Sequence, residues 1–329
     1  MTRLQANSTP LLSIALIVKN EEHTLPTLFK SLESLKDIPL QIVVVDTGSS
    51  DNTVKICEEF GCEIQFFKWI NDYSQARNYG LKRCHGNWIL WLDADDLLPP
   101  ETSYWLTTTL PTLDPSKVYL FNIDSPHQGA SSSVFHQIRL FPNHHNLQFH
   151  NPIHESLSQS IRENNLVGKA LPLSITHMGY YDPKQVEFKN QQKKELLEDL
   201  FQKNKLPLAL IFSLARTYQT ENKHHQALNL YQEILQNPQA KNIQQDVFIA
   251  THIYYGQCLG FLNKIPEALE WFKKHQSIAP QHPQYLFEWG KLHYIQNQHA
   301  EALKLFEQTL SLPAIKWGIP TDWKAIQLG

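Results

Sequence analysis

Residues 87–96 read Asn-Trp-Ile-Leu-Trp-Leu-Asp-Ala-Asp-Asp, an apolar run that ends in three carboxylates. The run is too short for a helix and rich in β-branched and aromatic side chains, so it predicts a buried strand. Two carboxylates one residue apart after such a strand can hold a hard divalent cation whose other ligands are water and phosphate oxygens. An isolated Asp-x-Asp is more often an acidic turn or a helix N-cap, so the surrounding sequence has to decide.

Strand and helix patterns alternate regularly before this stretch. Apolar runs predict buried strands over residues 11–18 and 41–46, and a third strand is predicted over residues 63–67. Apolar residues at helical spacing predict helices over residues 24–35, 54–60 and 73–84, with Gly61 as the C-cap of the second. This alternation predicts an α/β fold with right-handed βαβ units and a mostly parallel, Rossmann-like sheet. Binding residues then belong in the loops after the carboxyl ends of the strands, where Asn20, Asp46 and Asp93 lie.

The composition is that of an ordinary soluble globular protein. The chain has 329 residues, enough for two domains, with 42% hydrophobic and 19% charged residues. A formal net charge of -3 leaves no overall basic field for nucleic acid, so any site for a polyanion must be local.

The four cysteines, Cys57, Cys62, Cys84 and Cys258, include no CxxC pair. The sequence therefore indicates neither a zinc site nor a disulfide framework, and a reducing cytoplasm fits it best. We expect no signal peptide and no membrane span, because the apolar run 11–18 is short and stops at polar residues.

The motifs of the first half point to a nucleotide site of an unusual kind. No GxGxxG or GxxxxGK[ST] follows a predicted strand, which argues against dinucleotide oxidoreductases and P-loop phosphotransferases. Instead, strand-KNEE-helix, IVVVDTGSSDNT, SQARNYGL and WILWLDADD resemble, in order and spacing, the family 2 glycosyltransferases of GT-A fold. The resemblance implies a metal-dependent transfer of a sugar, with inversion, from a nucleoside diphosphate, for which UDP is the expected donor nucleotide.

The same resemblance implies roles for individual residues. Asn20, Glu21 and Asp46 become candidates to hold uracil and ribose, and Asp51 is either a further ligand contact or a helix cap. Arg77, supported by Asn78, matches the family's arginine near the sugar nucleotide, and its fixed charge suits a diphosphate. The DxD motif maps onto Asp93 and Asp95, which would bind the nucleotide sugar and a manganese or magnesium ion.

The middle of the chain is expected to complete the catalytic site. Strands are predicted over residues 117–123 and 135–141, separated by a polar loop over residues 124–133. The segments RLF, IHE and HMGY then resemble a bacterial branch of the family that includes lipopolysaccharide-core sugar transferases and a peptide S-glycosyltransferase. The acceptor could accordingly be a glycan, a lipid-linked molecule or a peptide.

Two roles remain to be assigned in this region. An inverting transfer needs a base for the acceptor, and Glu155 is our candidate, although Arg139 or backbone amides could instead hold it in a structural role. The family's commoner ED-containing acceptor motif is absent from this sequence. Either His154 or His177 could be the third protein ligand of the metal, since neutral imidazole suits manganese.

The second half carries a tetratricopeptide pattern in which small residues and aromatics recur. The matching positions are Ala215, Ala227 and Tyr231, then Gly256, Ala268 and Phe272, then Gly290, Ala302 and Phe306. Ala268 and Ala302 are 34 residues apart, whereas Ala227 and Ala268 are 41 apart, which places an insertion near residues 239–247. Such repeats could buttress the first domain, bind a protein or peptide, or form a homodimer interface. The tail 315–329, with Trp317 and Trp323, could cap the last repeat or dock back on the first domain.

The predicted organisation is a GT-A catalytic domain over residues 1–182, a connecting helix over residues 183–205 and an all-α tetratricopeptide-repeat domain over residues 206–329. Two other functions are compatible with parts of this pattern. One is a nucleotidyltransferase, although the glycine-rich phosphate loop that it would favour is absent. The other is a non-catalytic binding protein in which the repeats carry the function and the nucleotide-binding head is degenerate.

Overall fold

The computed structural model describes residues 11–127, 130–144, 147–180, 183–203, 205–243 and 245–312. The chain divides into two compact units, Met1–Gln192 and Lys193–Gly329. The tail for which the sequence suggested a capping role lies outside the described residues. No helix in these ranges is both long and apolar enough to span a lipid bilayer.

The first unit is an α/β domain whose elements alternate as predicted up to the acidic stretch. In chain order they are β1 (Leu12–Val18), α1 (Leu25–Ser31), β2 (Leu40–Asp46), α2 (Thr53–Phe60), β3 (Glu63–Phe66), α3 (Tyr73–Leu81) and β4 (Trp88–Leu92). Then follow β5 (Asp96–Leu97), α4 (Pro100–Thr109), β6 (Lys117–His127), β7 (Ala130–Pro142), α5 (Ser158–Glu163), β8 (Val167–His177) and α6 (Pro183–Gln202), which crosses into the second unit.

One mixed sheet of eight strands runs through the unit in the order β3-β2-β1-β4-β7-β6-β8-β5. The strands β3, β2, β1 and β4 are mutually parallel, with Leu16 opposite both Val44 and Leu92. The strand β7 is antiparallel to both β4 and β6, and β8 is parallel to β6. The carboxyl ends of β1, β2, β4, β6 and β8 therefore lie at the same edge of the sheet. The predicted fold class is confirmed: a mostly parallel sheet of the kind expected for a GT-A domain, followed by an all-α region.

The strands β1, β2 and β4 are buried on both faces, which explains their nearly continuous apolar sequences. Along β1 and β4, Leu16 and Leu90 pack into one apolar core, whereas Ala15 and Trp91 pack into the core on the opposite face. At the end of α2, Gly61 adopts a φ of 86° and its N–H bonds to carbonyls of the last turn, as predicted for a C-cap.

The prediction of a polar loop over residues 124–133 was wrong. The strands β6 and β7 continue through most of it, and their antiparallel pairing extends from Ile123 opposite Phe135 to His127 opposite Ala130. A ladder of this kind satisfies the backbone hydrogen bonds whatever the side chains are, so a polar sequence does not prevent it.

The second unit consists of helix pairs. After α6 come α7 (Leu208–Thr220), α8 (His224–Gln236), α9 (Gln245–Phe261), α10 (Ile265–His275), α11 (Pro283–Ile295) and α12 (His299–Ser311). Within two of the pairs a glycine faces an aromatic ring so closely that a Cβ atom would not fit. An ideal Cβ at Gly256 would lie 2.5 Å from Phe272, and one at Gly290 would lie 2.6 Å from Phe306. The predicted pattern of small and aromatic residues thus marks the close contacts between paired helices.

Candidate functional site

Four potential ligands converge just beyond the end of β4. One ligand atom from each of Asp93, Asp95, Asp96 and His177 lies within 4.8 Å of the others. The pairing of β5 with β8 brings them together, because it sets Asp96 opposite His177. The N–H of Met178 also donates to the carbonyl of Asp95 at 2.8 Å, which attaches the segment after β8 to the acidic segment.

Two buried arginines neutralise part of this acidic cluster. From α3, Arg77 donates through Nη2 to Asp93 and through Nε to Glu155, both at 2.7 Å. From β7, Arg139 contacts Asp96 through Nη1 at 2.9 Å and Asp93 through Nη2 at 3.3 Å. Arg77 is 7% exposed and Arg139 is 2% exposed, so these ion pairs are screened little by water.

Both guanidinium groups also lie over the indole of Trp91, the last aromatic residue of β4. Their central carbon atoms are 4.2 Å (Arg77) and 3.8 Å (Arg139) from the centre of the ring. The indole N–H donates to the carbonyl of Ile138 at 2.7 Å. The face of the Trp91 ring therefore attracts both guanidinium groups through cation–π contacts.

The charges of the cluster shift the pKa values of Asp93 and His177. Burial would raise the pKa of Asp93, but the positive charges of Arg77 and Arg139 outweigh it and hold this pKa well below its usual range. Burial would likewise lower the pKa of His177. The hydrogen bond from Nδ1 to Asp96, 2.8 Å long, and the charges of the three aspartates prevail, and the pKa of His177 is raised. The site therefore favours an added positive charge.

The residues fit a divalent cation. Three aspartates and Glu155 carry four negative charges and the two arginines carry two positive ones, so a charge of -2 remains when His177 is neutral. Carboxylate oxygens suit magnesium and manganese, and an imidazole nitrogen among them suits manganese. Of the two histidines left open by the sequence, the structure groups His177 with the carboxylates. His154 is exposed and lies outside this group.

The loop that follows β7 brings Glu155 to the same place. Its Oε1 accepts the Arg77 bond already described, so Arg77, rather than Arg139, is the arginine that holds this carboxylate. Asn78, the neighbour of Arg77 on α3, exchanges two hydrogen bonds with the backbone of Phe149, at 2.8 and 2.9 Å. The helix that carries Arg77 thus also fixes the start of the loop that carries Glu155.

The remaining predicted residues meet where β1 and β2 end. The N–H of Asn20 donates to Ser49, and its side-chain oxygen accepts from the N–H of Ser50. Both oxygens of Asp46 accept from backbone N–H groups of Gly48 and Ser49. The bonds of Asn20 fix the two loops to each other, and those of Asp46 fix the turn after β2.

Glu21 and Asp51 belong to the same pair of loops. The N–H of Glu21 donates to Thr53 at 2.6 Å. The carboxylate of Asp51 accepts from the N–H groups of Thr53 and Glu22, so it links the start of α2 to the loop after β1. The N-cap residue of α2 is Asn52, whose side chain makes no capping bond. The structure therefore brings Asn20, Glu21, Asp46 and Asp51 together at the sheet edge that also carries the acidic cluster.

Sequence reasoning did not assign a role in the cluster to Asp96, nor to Arg139 as its counter-charge. Asp96 is fully buried and accepts from the N–H of Asp93 at 2.8 Å, in addition to its contacts with Arg139 and His177. A signal was present, because Arg139 is a charge inside the apolar stretch Ile-Arg-Leu-Phe of residues 138–141. A charged residue within a buried strand requires an oppositely charged partner nearby.

Comparisons with known proteins bear on the identity of this site. Residues 13–162 match the family model described as Glycosyl transferase family 2. A TPR repeat-containing protein of Synechococcus elongatus is 34% identical over 175 residues, which are 51% of this chain and 42% of that protein. The SPbeta prophage-derived glycosyltransferase SunS of Bacillus subtilis is 26% identical over 253 residues, which are 73% of this chain and 57% of SunS.

The chain thus spans about half the length of the curated relatives it matches. Among solved structures, S. aureus TarS 1-349 in complex with UDP is 14% identical, covers 94% of each chain and has a TM-score of 0.44. What this chain binds has to follow from its own residues.

Proposed function

Residues 13–162 of this chain belong to the family 2 glycosyltransferases, and from this membership we propose that the protein transfers a sugar from a UDP-sugar to a nucleophilic acceptor, with inversion at the sugar's C1 atom. The observation that carries the proposal is the convergence of Asp93, Asp95 and His177 on one point, with a charge of -2 left by the surrounding pairs. A nucleoside diphosphate is an anion, so such a site can receive it only together with a cation.

We assign the cation to Asp95 and His177, with Asp93 beside them, and manganese or magnesium is the expected metal. When bound, such a cation supplies positive charge next to the departing diphosphate. His177 is preferred to His154 because only His177 lies among the carboxylates in the part of the chain that the structure describes.

Donor recognition is assigned to the loops after β1 and β2. Asn20, Glu21 and Asp46 are proposed to hold the base and ribose. The bonds of Asn20 to Ser49 and of Glu21 to Thr53 join the two loops, and the bond from Gly48 to Asp46 fixes the second loop, so all three support a preformed site there. For Asp51 the bonds to Thr53 and Glu22 favour a supporting role. Arg77 would face the diphosphate while remaining paired with Asp93 and Glu155.

Glu155 is proposed as the general base. It would take the proton of the acceptor hydroxyl or thiol while the acceptor atom forms its bond to C1. The bond between C1 and the phosphate oxygen breaks at the same time, and its electron pair leaves with the nucleoside diphosphate. The ion pair with Arg77, at 2.7 Å, supports this role because it keeps the carboxylate in one orientation.

A calorimetric titration of UDP and UDP-sugars, with and without Mn²⁺, tests the proposal on the wild type and on Asp95→Ala. We expect binding that requires Mn²⁺ and is lost in the variant. Asp37→Ala serves as a control, because Asp37 is an exposed aspartate of the same unit and its removal should leave binding intact. Absence of nucleotide binding under all conditions, or equal binding by both variants, would contradict the proposal.

The boundaries of the domains and the role of the repeats remain predictions. A glycan, a lipid-linked molecule or a peptide could be the acceptor, and a protein, a peptide or a second copy of the chain could contact the repeats. The cytoplasmic location predicted from the cysteine pattern also remains a prediction.

A further inference from the structure

Gly179 faces one side-chain atom of each of the two residues to which the metal is assigned. It lies in the short turn Met178–Tyr180 directly after β8. An ideal Cβ atom at this position would be 2.6 Å from Oδ2 of Asp95 and 2.7 Å from Nε2 of His177. The φ angle of Gly179 is outside the range that favours glycine, so the backbone here could accommodate any residue. What demands glycine is the space next to these two atoms.

Neighbouring bonds hold the imidazole of His177 and the backbone of the turn in place. Nδ1 of His177 lies 2.8 Å from Oδ1 of Asp96 and 3.4 Å from Oδ1 of Asp95, which fixes the ring and leaves Nε2 facing Gly179. The carbonyl of Asp95 accepts from the N–H of Met178 at 2.8 Å, so the backbone of the turn is attached to that of the acidic segment. The imidazole of His177 therefore cannot move away from a side chain at position 179 without disturbing its bond to Asp96, and the turn cannot move away from Asp95 without disturbing the bond of Met178.

We propose that Gly179 is a positioning residue that allows Asp95 and His177 to converge on one cation. A methyl group within 3.0 Å of each ligand atom would have to displace at least one of them, and a displaced ligand binds metal more weakly. This inference rests on the metal site of the proposed function. It adds that the glycine of the His-Met-Gly segment is required by the spacing of the ligands and not by the turn.

The variant Gly179→Ala tests the inference through Mn²⁺ binding, measured by calorimetry without nucleotide. We expect an affinity about 10- to 100-fold weaker than that of the wild type, the range found when groups that orient metal ligands are lost. Thermal unfolding with and without Mn²⁺ is the second readout. Mn²⁺ should raise the unfolding temperature of the wild type and should no longer raise that of the variant at the same concentration.

Gly168→Ala is a matched control on the same strand, β8. Its Cβ would meet only the end of the Leu120 side chain, at 3.2 Å, and no ligand atom. This variant should bind Mn²⁺ like the wild type. If wild type and control bind Mn²⁺ and Gly179→Ala binds equally well, the inference is overturned while the metal site stands. If the wild type binds no Mn²⁺, the metal site of the proposed function fails and the inference falls with it.

A double-variant cycle separates an effect through the ligands from a general disturbance of the turn. In a protein that carries His177→Ala, one of the two crowded atoms is gone, so Gly179→Ala should cost less Mn²⁺ affinity than in the wild type. An equal cost in both backgrounds would overturn the inference. Should Gly179→Ala not fold, anomalous scattering from wild-type crystals with Mn²⁺ decides. An ion bound to Asp95 Oδ2 and His177 Nε2 supports the inference, and an ion elsewhere overturns it.

Discussion

Arg139 is buried beneath the acidic cluster, and replacing it with methionine should strongly destabilise the first unit. Its guanidinium contacts Asp96 at 2.9 Å and Asp93 at 3.3 Å. Methionine keeps most of the apolar volume over Trp91 but removes the positive charge. The change leaves the charge of the cluster at -3 instead of -2 in the absence of metal.

The expected loss of stability depends on the partners that Asp93 and Asp96 retain in the variant. Asp93 retains its ion pair with Arg77, and its side chain is 27% exposed, so the loss of its contact with Arg139 is partly compensated. Asp96 is fully buried, and among the described residues the ionisable partner that remains beside it is the imidazole of His177. Removal of one partner from a buried ion pair costs about 3–5 kcal/mol, and we expect a loss of unfolding free energy in that range, mostly through Asp96. Such a loss is a large part of the stability of a typical domain, about 5–15 kcal/mol.

Urea unfolding of metal-free protein in EDTA measures this loss. Arg162→Met is the control, because Arg162 is exposed on α5 and its replacement should change the stability by less than about 0.5 kcal/mol. In a protein that already carries Asp96→Asn, Arg139→Met should cost less, because the uncompensated charge is absent. A loss below about 1 kcal/mol, or an equal loss in both backgrounds, would refute the assignment of Arg139 as the counter-charge.

Two further predictions concern the proposed base and a buried histidine. Glu155→Gln preserves the shape of the side chain that contacts Arg77 but cannot accept a proton, so the turnover number at saturating Mn²⁺ and donor should fall about 10²- to 10⁴-fold; wild-type turnover would mean that another group is the base. In the second unit, burial lowers the pKa of His252 to about 4, from 6.5. The unfolded chain then binds more protons, so this histidine should lower the unfolding free energy by about 2 kcal/mol between pH 7.5 and pH 5. Burial lowers the pKa of His282 to about 4 as well, so the total dependence should be about twice as large, and His252→Gln should remove about half of it. Denaturant titrations at both pH values check it, and an equally large dependence in the variant would exclude His252 as its source.

The strands β1, β2 and β4 could be predicted because strands buried on both faces are mostly apolar. The ends of the antiparallel strands β6 and β7 could not be predicted in this way. In β6, Phe121 and Ile123 are buried whereas Asn122 and Asp124 are half-buried, so polar residues alternate with apolar ones. The sequence of such a strand resembles that of a loop unless the strand that pairs with it is known. The predicted strand therefore ends at residue 123, whereas β6 continues to His127.

The site shows the same division between local and distant information. The carboxylates of residues 93–96 are adjacent in sequence and end a strand, so their place at the sheet edge follows from the pattern. Their partners are not adjacent: Arg77 is 16 residues and Arg139 is 46 residues away from Asp93. The pairing of each arginine with its carboxylates depends on how distant helices and strands pack together. In this structure Arg77 on α3, and not Arg139 on β7, contacts Glu155.

The position of Arg77 links the donor side of the proposed reaction to the acceptor side. Its planar guanidinium holds Asp93 and Glu155 at 2.7 Å each, so these two carboxylates cannot move independently. The same pairing neutralises its charge, because one cation faces two anions. A diphosphate that approached Arg77 without a metal would therefore meet a region of net negative charge. Contact between Arg77 and the donor becomes favourable only after a cation has joined Asp95 and His177, so binding of metal and binding of donor should depend on each other.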